Sequence, residues 1–167
     1  MRRHLLAAVV VVTAVLLQVG VVNRLRLPIG HPDLLVVCVV ALALAAGPLA
    51  GTVIGFCAGL LADVIPPADH TLGRLAMAYA VIGYAAGLLE DLEERSVITT
   101  VLVVATASAA AVAMFAGVGA LLGDPRIDSD SVTGSLTATV LYDVVLAPFV
   151  VPLVSGAARR AEPTATY

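Results

Sequence analysis

The strongest constraint on this chain is the spacing of its charges. From Leu5 to Val22 there is no ionisable side chain, and the pattern repeats downstream, with long apolar runs parted by short polar clusters. A soluble domain carries about 25% charged residues; here the figure is 13%, against 60% hydrophobic, and the mean hydropathy is +1.05. Too little polar surface is left to face water, and lipid is the solvent that such a pattern suits. The expectation is an all-α integral membrane protein. It forms a single domain, a six-helix transmembrane bundle with spans over residues 5–22, 32–46, 48–65, 72–89, 97–122 and 136–154.

The first run follows Met1-Arg2-Arg3, as a signal peptide would. It is longer than the about 7–15 apolar residues of a signal peptide, and Gln18-Val19-Gly20-Val21-Val22 offers no small-residue cleavage site. An uncleaved first helix is the better reading. A net charge of -3 argues against nucleic-acid binding, which shows as a basic patch. All nine basic residues are Arg. Cys38 and Cys57 lie inside apolar runs and read as buried free thiols serving as small hydrophobes.

His31-Pro32-Asp33 opens the second helix, with Pro at a first-turn position that needs no N–H and Asp suited to the helix dipole. Residues 32–46 would form a rod about 22 Å long, short for a hydrocarbon core of about 30 Å, so the helix spans a thinned bilayer or is shielded by its neighbours. Gly47-Pro48 makes a turn, and Pro66-Pro67 ends the third helix. Pro148 and Pro152 are expected to break the sixth.

The third helix holds the sharpest pattern. Gly47, Gly51, Gly55 and Gly59 recur every four residues and Asp63 continues the series, all on one helical face. Ala76, Ala80, Gly83 and Gly87 give the fourth helix a matching face. Small residues let helix backbones approach closely where lipid removes the hydrophobic drive to associate. Internal packing of an antiparallel pair is the plain account; a groove for a partner's membrane helix is the sharper one. The candidate partner-binding residues on that reading are Pro32, Asp33, Gly51, Gly55, Gly59 and Asp63.

Charged groups within spans suggest function by default. Asp63 and Arg74 lie at similar depth on consecutive helices, and an ion pair between them is expected. Asp143, beside Tyr142, lies well inside the sixth helix: protonated, bonded to a neighbouring helix, or lining a polar cavity. His31, Asp33, Asp63, Asp69 and His70 gather at one end, but none has the H-x-x-x-H spacing of a zinc site, and no metal or cofactor is expected. Asp91 and Arg95 form an i,i+4 pair in the patch Glu90–Arg95, which reads as a solvated helix end or a docking point. There is no P-loop, no G-x-S-x-G and no H-E-x-x-H, so no enzymatic activity is expected.

Six spans put both termini on one side. The Arg2-Arg3 and Arg159-Arg160 pairs assign that side to the cytoplasm; the remaining arginines are too evenly divided to add support.

With these residues in view, the chain resembles the rod shape-determining protein MreD family over nearly its whole length. The resemblance is carried by Pro32-Asp33-Leu34-Leu35, Gly47-Pro48-Leu49-Ala50-Gly51, the run from Gly55 through Gly59 to Asp63, Leu72-Gly73, Gly83-Tyr84-Ala85-Ala86-Gly87, and Leu141-Tyr142-Asp143 with Ala147-Pro148. Asn is common in that family in place of Asp143. The resemblance implies a non-enzymatic scaffold of the bacterial cell-elongation machinery that binds MreC, with RodA and a class B penicillin-binding protein nearby and MreB reached indirectly. It also implies a fold similar to the substrate-binding subunits of energy-coupling-factor transporters. That likeness supplies the alternative, a small-molecule-binding subunit, for which a chain with 4% aromatics and no Trp offers few stacking partners. A channel or ion carrier using Asp143 is a third reading, with no matching pathway.

Overall fold

The computed structural model describes residues 2–25, 27, 30–65, 71–90, 96–124 and 129–161. Among them are six α-helices: α1 (Arg2–Gly20), α2 (Leu34–Ala46), α3 (Pro48–Val64), α4 (Arg74–Gly87), α5 (Val97–Leu121) and α6 (Ser129–Arg160). A single 3-10 turn, Val22–Arg24, follows α1. Three stretches are long and apolar enough to cross a membrane: Arg2–Arg24, Val97–Leu121 and Val132–Arg160. The protein is thus an all-helical membrane protein, and α2, α3 and α4 are shorter than those three.

The architecture is organised around α2. No residue from Leu34 to Ala46 is polar apart from Cys38, so the helix has no face that prefers water, and eleven of its thirteen residues are buried. It touches all five other helices. A rod of that length, about 20 Å, needs no bilayer match of its own, because protein rather than lipid surrounds it. Of the two accounts open for a short second helix, shielding by neighbours is the one realised.

Its ends are closed by specific residues. Asp33 is the N-cap, not a first-turn residue, and accepts from the Val36 N–H at 3.1 Å; the helix begins at Leu34 rather than at Pro32. At the other end Arg3 of α1 donates to the Ala46 carbonyl. Gly47 follows with φ +81, a left-handed conformation that favours glycine, and Pro48 starts α3.

The sixth helix departs from expectation. It runs unbroken for 32 residues through Pro148 and Pro152, and it starts before residue 136. In hydrocarbon, unwinding at a proline would release further backbone groups with no water to meet them, so the helix continues instead. Cys38 is buried, but Cys57 is exposed on the outer side of α3; a small apolar thiol sits as readily against lipid as in a core.

Candidate functional site

Helices α3 and α4 form the most intimate pair in the bundle. Each step of four along α3 meets a step of four back along α4. A Cβ added at Gly51 would fall on the Gly83 carbonyl, one at Gly55 on the Tyr79 carbonyl, and one at Gly59 on the Leu75 carbonyl. From the other side, a Cβ at Gly83 would strike the Gly51 carbonyl, and one at Gly87 the backbone of Gly47 and Pro48. Side chains are absent because backbone occupies their place. Helix α4 fills the glycine face of α3.

Asp63 ends this line. Its carboxylate accepts from the backbone N–H groups of Gly73 (2.8 Å), Ala76 (3.1 Å) and Leu75 (3.2 Å). It therefore satisfies the open donors at the start of α4, a job that Gly73, the N-cap without a side chain, cannot do. The expected Asp63–Arg74 ion pair is replaced. Arg74 is buried and pairs with Asp124 beyond the end of α5, at 2.9 Å. It also donates to the Phe115 carbonyl at 2.7 Å, and its guanidinium lies 3.9 Å over the Phe115 ring. Sequence distance hid Asp124, which belongs to the polar loop after the fifth run.

The second polar group is a knot around residues 31–34. Asp143, fully buried on α6, accepts from the Asp33 N–H at 2.7 Å and from the Ser108 hydroxyl of α5 at 2.6 Å. The Asp33 carboxylate accepts from the Tyr79 hydroxyl of α4 at 2.5 Å. Gln18 of α1 donates to the Pro32 carbonyl at 2.9 Å and accepts from the Leu34 N–H at 3.0 Å. Thr139 of α6 donates to the His31 carbonyl at 3.1 Å. Four helices thus hold the entry to α2 by groups that would be costly to strand in an apolar interior. The structural hydrogen bond is the role that Asp143 fills; Tyr142 is half-buried and stands outside the knot.

Pro32 is buried, and both oxygens of Asp33 are engaged within the chain, so the rim that sequence reading offered to a partner is closed over. Gln18, Tyr79, Ser108 and Thr139 complete the knot without forming a motif in the sequence. Gln18 had a signal, as one of two polar side chains in the first apolar run, and Tyr79 had another, as one of four tyrosines. Ser108 and Thr139 look like any small polar residue of a membrane helix. Of the acidic and histidine cluster at this end, Asp69 and His70 lie outside the described residues, as does the Asp91–Arg95 pair. Among the described residues no three His, Cys, Asp or Glu side chains are placed to hold a metal.

A family model, rod shape-determining protein MreD, matches residues 1–160 of the 167-residue chain. This chain belongs to the MreD family. That places it in rod-shape determination. No curated protein and no solved structure matches it. The stretches that carried the MreD resemblance now have physical roles: the glycine line packs α3 on α4, Asp63 caps α4, and Asp33 with Asp143 ties four helices at the start of α2.

Proposed function

We propose that this MreD-family chain is a non-enzymatic membrane scaffold of the bacterial cell-elongation machinery. It binds MreC, lies near RodA and a class B penicillin-binding protein, and acts on MreB indirectly. The observation that carries this reading is the match to the MreD family over residues 1–160. The interior agrees with it: the buried acids Asp63 and Asp143 and the buried Arg74 are all engaged with other groups of the chain, as a rigid scaffold requires. Pro32, Asp33, Gly51, Gly55, Gly59 and Asp63 serve partner binding indirectly, by fixing the shape whose outer surface the partner meets.

Affinity purification in mild detergent tests the assignment. Recovery of the bitopic partner and of cell-wall synthesis proteins is expected. Recovery of paired ATPases instead would establish the alternative, a transporter's small-molecule-binding subunit. That alternative calls for an outward pocket; among the described residues, Gln18, Asp33, Tyr79, Thr139 and Asp143 at that end are bonded to one another and to the backbone of residues 31–34, which favours the scaffold.

In this reading all six helices cross the bilayer in a protein of the bacterial cell membrane, with α2 shielded and α3 and α4 paired. Both termini face the cytoplasm, by the Arg2-Arg3 and Arg159-Arg160 pairs. A reporter active only in the cytoplasm should work when fused after Arg160 and be silent within residues 124–130. The opposite pattern inverts the topology.

A further inference from the structure

At the end of the bundle that carries the arginine pairs, a groove of about 300 Å³ opens between α1, α3 and α6. Its walls are Ala7 of α1, Ala50 and Val53 of α3 and Ala158 of α6, and its floor is Leu42 of α2. Arg3 and His4 stand at its mouth. Ala158 is followed directly by Arg159 and Arg160, both exposed, and Arg2 and His4 are exposed on the facing helix. Among the described residues Glu90, over Gly47, is an acidic side chain at the same end. A mostly apolar slot bordered by Arg3 and His4 therefore adjoins, through Ala158, the helix end that carries Arg159 and Arg160.

We propose that this groove binds one anionic phospholipid, with an acyl chain in the slot and its phosphate among Arg2, His4, Arg159 and Arg160. Shape and charge both favour that occupant. A transmembrane helix is about 10–12 Å across with its side chains and does not enter a groove of this volume. An alkyl chain needs only van der Waals clearance, about 4 Å between carbons. A chain with a negative head complements apolar walls and a basic mouth, and a neutral lipid complements the walls alone. Near an anionic lipid surface each Arg is worth about fivefold in binding, so several together select the headgroup. The inference rests on the membrane-spanning reading and is independent of which protein partners bind.

The test uses the full chain, purified in a neutral detergent and examined by native mass spectrometry with phosphatidylglycerol or phosphatidylcholine of identical acyl chains. One phosphatidylglycerol per chain should be retained, with a preference of about tenfold or more over phosphatidylcholine. Arg2→Gln with Arg159→Gln and Arg160→Gln should reduce that preference to near parity while lipid still binds. Ala50→Trp should fill the slot and abolish retention of both lipids. Val53→Trp, at a position 63% exposed, should do the same and decides the matter if Ala50→Trp lowers the helical circular dichroism. Equal retention of the two lipids by the unaltered chain would overturn the proposal. So would undiminished retention in a natively helical tryptophan variant, or displacement of the lipid by glycerol phosphate alone, which would leave the apolar slot without a role.

Discussion

Gly55→Leu should be among the most damaging single substitutions in this protein. The Cβ alone would lie on the Tyr79 backbone carbonyl, and neither backbone can yield without moving its whole helix. Overpacking costs about 1–3 kcal/mol where side chains can adjust, and a clash with backbone belongs at the upper end of that range. The loss should appear as a lower melting temperature in detergent and reduced accumulation in the membrane. Gly117→Leu is the control: that glycine has nothing within 4 Å of an added Cβ, and its substitution should leave both measurements unchanged. Equal tolerance at the two positions would mean that α3 and α4 are not packed through their glycines.

The other large effect is expected at Asp143. Asp143→Leu leaves the part-buried Asp33 N–H and the buried Ser108 hydroxyl without their acceptor, at about 1–3 kcal/mol for a fully buried group. Asp143→Asn keeps an oxygen for the Asp33 N–H, and its amide can donate to a Ser108 hydroxyl that turns to accept. It should therefore be mild. The readout is labelling by a membrane-permeant thiol reagent in a Cys57→Ser background, which leaves Cys38, on buried α2, as the single thiol. Cys38 should react faster in Asp143→Leu than in Asp143→Asn. Equal rates, both as slow as the unaltered chain, would show that the knot does not hold α2 in place.

How much of this was legible in the sequence follows from how local each signal is. The helices and the glycine line depend on spacing within one segment, and the antiparallel partner of that line lay one short loop away. Asp143 was visible as an anomaly, but its partners were not, because Asp33, Ser108 and Asp143 are brought together from three distant segments. Arg74 shows the failure most clearly: two charges close in sequence and at similar depth suggested a pair. The start of α4 claimed Asp63 for its backbone donors, and Arg74 turned to Asp124. Proline counting misjudged α6 because its rule was learned where water can meet the freed carbonyls.

The enclosure of α2 bears on how such a chain can be made. Synthesis is vectorial, so α1 and α2 leave the ribosome before any of α3 to α6 exists to surround them. During that interval α2 must be acceptable to lipid or to the insertion machinery, although in the finished protein it meets neither. A helix apolar on every side satisfies both stages. A polar contact placed midway along it would have been stranded until its partner arrived. Among the described residues the bonds seen to anchor α2 lie at its two ends, where headgroups and water can serve the same groups until Arg3, Tyr79 and Asp143 reach their places.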